Sequence, residues 1–150
     1  MKALREYVMR WIASLSVPRT EFGGNAACPF AKMAKVVVCQ VADAEDMVAL
    51  LRWVQLPRWN VLVIMVADAG LVHERLAAIR HALAERDIIA LPSDPWRPMV
   101  IDGFRTTQQD YFLVIAQRKS ELERASREAD EHGYYERWTS AQREWLEDRQ

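Results

Sequence analysis

Apolar residues recur at three- and four-residue spacing near the start of the chain. Within residues 2–15, the apolar positions with this spacing are Leu4, Val8, Trp11, Ile12 and Leu15. Such spacing places the apolar side chains on one face of a helix, and charged residues occupy the other face. The pattern therefore predicts an amphipathic first helix that ends before Pro18.

Three largely apolar runs follow, and two amphipathic stretches separate them. The runs span residues 35–41, 60–67 and 87–91, and the stretches span residues 43–56 and 69–86. Runs without polar alternation are typical of strands buried on both faces of a parallel sheet, and the stretches are long enough for crossover helices. The sequence therefore predicts a single α/β domain over residues 1–150, with a small, mostly parallel sheet of three to four strands (βαβαβ) flanked by helices.

A proline-rich loop over residues 92–106 precedes the last third of the chain. Two overlapping capping boxes come next, formed by Thr106 with Gln109 and by Thr107 with Asp110. These residues predict that a helix begins at the end of the loop.

This helix is expected to continue to about residue 132 and to end at Gly133. Residues 111–117 are rich in β-branched and aromatic side chains, so the same segment is also compatible with a fourth strand. A last amphipathic helix is predicted over residues 134–148.

The charges of the chain nearly cancel, with 20 Lys and Arg against 21 Asp and Glu. No overall field attracts it to nucleic acid or to an anionic membrane, so neither is expected as a partner, and a small-molecule ligand remains open. Two cysteines do not make a disulfide framework, and the charged N-terminus is unlike a secretory signal. No apolar run is long enough to span a bilayer. A cytoplasmic location is therefore expected, and a homo-oligomer remains open.

Cys28 is the first candidate for chemistry. Pro29 suits the first position of a short helix, which makes Cys28 its N-cap, and Lys32 lies one turn further on. The helix dipole and the lysine both favour a thiolate, as a nucleophile or a metal ligand needs. Asn25, in the preceding glycine-rich loop, is a candidate ligand-binding residue. The alternative is that Cys28 is a small buried apolar residue, as we expect of Cys39.

Three aspartates each follow a predicted strand, namely Asp43, Asp68 and Asp94. Ligands of open parallel sheets bind beyond the carboxyl ends of the strands, where these carboxylates would bind a cation or transfer protons. The alternative is that each caps the next helix or turn. Asp94 is the leading candidate for an acid or base.

The 92–106 loop offers two arginines for an anionic ligand. Arg97 and Arg105 would hold it over Trp96 and Phe104, with Asp102 positioning one of them. Arg105 is favoured because it stands just before a predicted helix N-terminus. The alternative is a rigid structural lid whose charges pair with one another.

The spacing of the histidines gives little indication of a metal or catalytic site. His73 and His81 are eight residues apart on one predicted helix and cannot share a metal ion. His81 is expected to pair with Glu85 or Glu74, and His132 lies near a helix C-terminus. The sequence has no HExxH, CxxC, phosphate-loop or GxSxG motif.

Residues 25–32 read Asn-Ala-Ala-Cys-Pro-Phe-Ala-Lys. This segment resembles the Asn-x-Cys-Pro-Phe-Ala-Lys signature of an uncharacterised bacterial protein family, in which the asparagine is one residue closer to the cysteine. That family has a His-Pro-Asp-Tyr type segment after its third strand, whereas residues 92–96 here read Pro-Ser-Asp-Pro-Trp. The family has no established activity, so the resemblance implies no reaction.

These observations favour a small bacterial enzyme, or a catalytic subunit, that acts on a small polar or anionic metabolite. Cys28 would be a nucleophile or metal ligand, Asp94 an acid, base or ligand, and Arg105 an anion-binding group. No cofactor is indicated, and whether a metal binds is open. The alternative is a non-catalytic module that binds a partner through its aromatic C-terminal helix, which contains Trp138 and Trp145.

Overall fold

The computed structural model describes residues 1–20, 24, 26–28, 31, 34–58, 60–101, 103–136, 138 and 140. In chain order its elements are α1 (Lys2–Leu15), β1 (Lys35–Val41), α2 (Ala44–Trp53), β2 (Asn60–Val66), α3 (Val72–Glu85), β3 (Ile88–Ser93), β4 (Val100–Ile101), β5 (Phe104–Arg105), β6 (Leu113–Arg118) and α4 (Lys119–Glu131).

The main sheet has four strands in the order β1-β2-β6-β3. β1 and β2 are parallel, and β6 runs antiparallel to both of its neighbours, β2 and β3. The strands β1, β2 and β3 therefore point in one direction, and their carboxyl ends lie along one edge. The predicted α/β class is confirmed, with a mixed sheet flanked by helices.

The helices and strands of the βαβαβ segment lie where the apolar pattern predicts them. The Asp43 side chain accepts the Asp46 N–H at 3.0 Å and is the N-cap of α2. Extended backbone at Val54 ends this helix three residues before Pro57. Cys39 packs against the core, as expected, but is half-buried rather than fully buried, and this burial raises the pKa of its thiol.

The predicted helix starting at residues 106–107 is wrong, because residues 113–118 form β6. Leu113 and Val114 are fully buried, since β6 lies between β2 and β3. The threonines of the capping boxes instead bind across the β4-β5 hairpin, where Thr107 Oγ1 accepts the Met99 N–H at 2.9 Å and the Thr106 N–H donates to the Met99 carbonyl at 3.0 Å. The helical part of this segment begins only at Lys119.

Gly133 follows α4 with φ of +73°, as expected of the residue after a helix C-terminus. The predicted last helix, residues 134–148, lies mostly outside the described residues, and its described part at 134–136 forms turns. Most of the short helix predicted after Cys28 also lies outside them.

One face of the sheet carries the larger core. It packs against α2 and α3, and its largest fully buried side chains are Met47, Leu51, Ile64, Val72 and Val114. Truncating such a side chain, for example Leu51→Ala, costs about 2–5 kcal/mol. The packed layer between the strands and the helices α2 and α3 therefore stabilises the fold.

The opposite face of the sheet carries a smaller core. Leu4 and Val8 of α1 pack there against Val63 and Leu113. α4 contacts β6 further along the same strands. A cleft remains between α1 and α4, with the sheet as its floor.

Candidate functional site

A small open pocket lies at the carboxyl ends of β2 and β3, beside the start of β6. Its described lining is Ala69, Gly70, His73, Asp94, Trp96 and Phe112. The strand β3 ends at Ser93 and so places Asp94 at this edge, and the first turn of α3 brings His73 across from it. The pocket therefore lies where open α/β sheets bind their ligands.

His73 and Asp94 form the central interaction of this pocket. His73 Nε2 lies 2.9 Å from Asp94 Oδ2. The other carboxylate oxygen, Oδ1, accepts the Trp96 N–H at 2.9 Å. Asp94 is only 9% exposed, whereas 36% of the His73 side chain is accessible. The carboxylate is thus enclosed, and the imidazole reaches solvent.

Packing fixes the other side of the imidazole. The His73 ring meets the Phe112 ring edge to face, with centroids 5.5 Å apart and planes at 83°. Phe112 is itself buried in the core. No residue that the structure describes forms a hydrogen bond with His73 Nδ1. Asp94 therefore holds the ring through Nε2, and Phe112 holds it by ring packing. Nδ1 remains available to a ligand.

The environment of Asp94 keeps it ionised. Burial alone would raise the pKa of this carboxyl. The hydrogen bonds from His73 and the Trp96 N–H, with the charges of His73 and Arg97, outweigh burial and lower the pKa below its ordinary value. An ionised Asp94 accepts a hydrogen bond from Nε2–H, so the neutral imidazole carries its proton on Nε2 and a lone pair on Nδ1.

The three aspartates do not converge. Asp43 caps α2, and Asp68 Oδ1 accepts the Gly70 N–H at 3.0 Å in the turn before α3. Over the described part of the chain, no group of three histidine, cysteine or acidic side chains has the arrangement needed to hold a metal ion. The capping alternative is thus what the structure shows: Asp43 caps α2, and Asp68 and Asp94 each accept the N–H two residues further on. Asp94 in addition pairs with His73.

Two exposed side chains stand at the mouth of the pocket. Arg97 Nε lies 4.0 Å from Asp94 Oδ2, and most of its side chain is exposed. Trp96 lines the pocket and is also largely exposed. The site therefore presents a positive charge and an aromatic surface beside the imidazole.

Arg105 lies within the loop and binds its backbone. Nε donates to the Thr107 carbonyl at 2.9 Å, and Nη2 donates to the Pro95 carbonyl at 2.9 Å. The helix N-terminus expected after Arg105 is absent, since β5 ends there. The Phe104 ring makes a cation–π contact with the Arg19 guanidinium, whose central carbon lies 3.9 Å from the ring centroid. Binding of an anion by Arg105 stays a prediction, and Asp102 lies outside the described residues.

Gln108 is a structural residue of the site that sequence reasoning missed. Its buried Nε2 donates to the Ser93 carbonyl at 3.2 Å and to the Tyr111 carbonyl, and its Oε1 accepts the Tyr111 N–H at 2.9 Å. One side chain thus joins the end of β3 to the start of β6. These are the segments that hold Asp94 and Phe112, and nothing in the local sequence marks this role.

Cys28 lines the separate cleft between α1 and α4, which has a volume of about 340 Å³. Its half-buried side chain lies near Tyr134, whose pKa is raised mainly by burial and further by its electrostatic interaction with Cys28 and Tyr135. The cleft and the small pocket share no described lining residue. The structure therefore does not bring Cys28 and Asp94 together. The other candidates near Cys28, Asn25 and Lys32, lie outside the described residues.

The remaining histidines make local contacts. His81 Nε2 lies 3.4 Å from Glu85 Oε1, which confirms that predicted pairing. His132 Nδ1 lies 2.7 Å from the Glu128 carbonyl at the end of α4. Of the three histidines, His73 is the one that lines a described pocket with a buried carboxylate.

Comparison with known protein families, with characterised proteins and with solved structures found no match for this chain. The resemblance to the family with the Cys-Pro-Phe-Ala signature therefore stays a prediction. Within the described ranges, no helix has the length and apolar character that crossing a membrane requires.

Proposed function

We propose that the protein is a small enzyme that uses His73 as a general base on a small polar or anionic molecule. The observation that carries this proposal is the 2.9 Å contact between His73 Nε2 and the enclosed Asp94 carboxylate, in an imidazole whose other nitrogen is open. A histidine oriented by a buried carboxylate is a recurrent device for proton transfer. Asp94 is the positioning residue in this scheme, and His73 is the group that contacts the substrate.

The chemistry follows from the tautomer. With a proton on Nε2, the Nδ1 lone pair accepts a proton from a substrate hydroxyl, an acidic C–H or a water molecule. The imidazolium that forms is stabilised by the Asp94 carboxylate, 2.9 Å from Nε2. A positioned general base of this kind contributes about 10²–10⁴-fold to a rate. The same group returns the proton to the product or leaving group in the second half of the reaction.

The surroundings of the pocket support the ligand class. Arg97 is exposed and near enough to the pair to attract an anionic group, while the chain as a whole has a net charge of only −1. A local positive charge on a nearly neutral protein favours a small anion over nucleic acid. We place the reaction in the cytoplasm, in keeping with the cysteine usage, and assign no metal ion to it.

The non-catalytic alternative rests on the aromatic C-terminal residues. Tyr134 is buried, and its hydroxyl donates to the Ala27 carbonyl. The rings of Tyr134, Tyr135 and Trp138 contact one another, with centroids 4.8–6.0 Å apart. These three aromatic side chains pack within the chain and line its cleft, so they support the binding-module alternative less than the enzyme. Trp145 lies outside the described residues.

The test is a comparison of His73→Gln with His81→Gln. Both histidines lie on α3 and both contact an acidic side chain, but His81 is exposed and pairs with Glu85 on the surface. Each purified variant and the wild-type protein are incubated with a mixture of small metabolites, and the compounds consumed are measured by mass spectrometry. We expect turnover by wild type and His81→Gln and its loss in His73→Gln. Equal turnover by the two variants would refute the proposal.

A further inference from the structure

The cleft between α1 and α4 has no role in the proposed reaction, because it shares no described lining residue with the pocket of His73 and Asp94. Apolar side chains line it on three sides, with Trp11 on α1, Leu122 on α4 and Val61 on the sheet floor. Its volume of about 340 Å³ lies within the range of small-molecule sites, which are mostly apolar and often lie between helices. The cleft is therefore large enough for a small organic molecule.

The indole of Trp138 supplies this cleft with a hydrogen-bond donor. Its Nε1 atom is buried, and no residue that the structure describes accepts a hydrogen bond from it. Trp11 lines the same cleft but differs in this respect, because its Nε1–H donates to the Thr106 carbonyl at 2.9 Å. Buried N–H groups in folded proteins almost always have a partner, since an unpaired donor away from water is costly. The Trp138 N–H is therefore the group to which a ligand oxygen binds best.

Aromatic packing holds this indole in place. The Trp138 ring meets the Tyr135 ring edge to face, with centroids 4.8 Å apart, and its centroid lies 6.0 Å from that of Tyr134. Tyr134 is itself buried, and its hydroxyl donates to the carbonyl of Ala27, another lining residue. The donor is thus positioned before a ligand binds, which reduces the entropy that binding costs.

The charges around the cleft favour a neutral ligand. Among its described lining residues, Glu121 is the one charged side chain, and it is 14% exposed. Glu121 Oε1 lies 3.6 Å from Arg58 Nε, which compensates the negative charge. An anionic ligand would lie near this carboxylate, with no lysine or arginine among the described lining residues to offset its own charge. A cationic ligand would leave the Trp138 N–H without an acceptor.

We infer that the cleft binds a neutral, mostly apolar carbonyl compound, whose oxygen accepts the Trp138 Nε1–H. A carbonyl fits this donor better than a hydroxyl, because a hydroxyl has a proton that needs an acceptor of its own. The apolar part of the ligand lies against Trp11, Leu122 and Val61, and its burial supplies most of the binding energy. This site is separate from the proposed base, so either assignment can fail without the other.

The first test compares three probes with the same ring system, namely 2-acetylnaphthalene, 2-isopropylnaphthalene and 2-naphthoate. The ketone has an acceptor, the hydrocarbon has a similar shape without one, and the naphthoate is an anion. Equilibrium dialysis measures their affinities for the wild-type protein and for Trp138→Phe. We expect the wild-type protein to bind the ketone and to bind the naphthoate more weakly. Trp138→Phe should weaken the ketone about three- to tenfold more than the hydrocarbon, as expected for one neutral hydrogen bond.

Trp11→Phe is the matched control, with circular dichroism confirming the fold of both variants. It removes an indole from the same cleft, but one whose N–H already binds the Thr106 carbonyl. This variant should therefore weaken the ketone and the hydrocarbon alike. The inference would be overturned if the wild-type protein showed no saturable binding of the ketone or preferred the naphthoate. It would also be overturned if Trp138→Phe affected the ketone and the hydrocarbon equally, since the N–H would then bind water rather than the ligand.

Alkylation of the two cysteines tests the location of the site in the wild-type protein. Cys28 lines the cleft, whereas Cys39 packs against the core on the other face of the sheet. Labelling with iodoacetamide, followed by mass spectrometry of the peptides, measures both rates in one sample. Bound 2-acetylnaphthalene should slow the labelling of Cys28 several-fold and leave that of Cys39 unchanged. Protection of neither cysteine, or of both alike, would place the ligand elsewhere and overturn the inference.

Discussion

His73 and Asp94 are 21 positions apart in the sequence, and their side chains meet at 2.9 Å where β3 ends and α3 begins. The carboxylate is enclosed and binds both the imidazole and the Trp96 N–H. The imidazole packs edge to face against the Phe112 ring, and its second nitrogen is available to a ligand. The proposed activity depends on this pairing of an enclosed anion with an accessible base.

Asp94→Asn should reduce turnover while the protein remains folded. The amide keeps the shape of the side chain but has no negative charge to stabilise the imidazolium, and its NH₂ group favours a His73 tautomer with the proton on Nδ1. We expect kcat to fall about 10²–10⁴-fold for a substrate found with the wild-type protein. Thermal unfolding followed by circular dichroism is the control for folding. Unchanged kcat in a folded variant would show that the carboxylate does not orient a base.

Asp94 should also contribute to acid unfolding. Its pKa lies below the ordinary value of 3.8 in the folded protein, so the unfolded chain binds more protons in acid. The stabilisation is complete above the ordinary pKa and is lost as the pH falls through the lower, folded value. Urea unfolding at a series of acidic pH values should show a weaker pH dependence for Asp94→Asn than for wild type. Identical slopes would contradict the assigned pKa direction.

Gln108→Met should destabilise the protein. Methionine has a similar shape but leaves the Tyr111 N–H and the Ser93 carbonyl without their buried partner. Buried groups left in this way cost about 1–3 kcal/mol each, so the unfolding free energy should fall by at least about 2 kcal/mol. Gln109→Met is the matched control, because that side chain is exposed and only its backbone N–H binds Tyr7. Equal stability of the two variants would show that the Gln108 side chain does not stabilise the junction between β3 and β6.

Asp87 supports the start of α4 from the turn before β3. Its carboxylate accepts the Ser120 N–H at 2.8 Å and the Ser120 hydroxyl at 2.6 Å, and the hydroxyl bond is the main cause of its lowered pKa. Asp87 also has φ of +57°, which Asp and Asn tolerate better than other side chains.

We therefore expect Asp87→Ala to lose about 0.5–2 kcal/mol of unfolding free energy, through the lost cap and added backbone strain. Asp87→Asn keeps an acceptor and the left-handed preference and should lose much less. Thermal and urea unfolding of the pair measure the difference. An alanine variant as stable as the asparagine variant would show that the interaction with Ser120 contributes nothing.

The pattern of apolar residues was sufficient to predict most of the helices and strands. Residues 2–15 and 35–41 form α1 and β1 as predicted, because long amphipathic and uninterrupted apolar segments have one favoured location in a packed domain. For β6 the sequence favoured a helix, which is wrong, and left open the fourth strand that the structure shows. Its apolar run fits a buried helix as well as a buried strand, and only the space between β2 and β3 decides. The choice between helix and strand therefore depends on contacts with distant parts of the chain, which the local sequence does not reveal.

The candidate site was predicted in part. Asp94 was found from its place after a strand, since the topology brings such residues to the ligand-binding edge. His73 was passed over because its partner lies on another element, and the local sequence gives it no sign of that contact. Gln108 was missed for the same reason, and the Arg105 hypothesis depended on a helix that does not form.

The proton on the His73 ring is the most direct test of the proposed base. In long-range ¹H–¹⁵N spectra of the wild-type protein, at a pH where the ring is neutral, we expect a protonated Nε2 bound to Asp94 and an unprotonated Nδ1. Asp94→Asn should shift that equilibrium toward a protonated Nδ1. A wild-type ring that carries its proton on Nδ1 would rule out His73 as the proposed base, because the nitrogen assigned to accept a proton would already hold one.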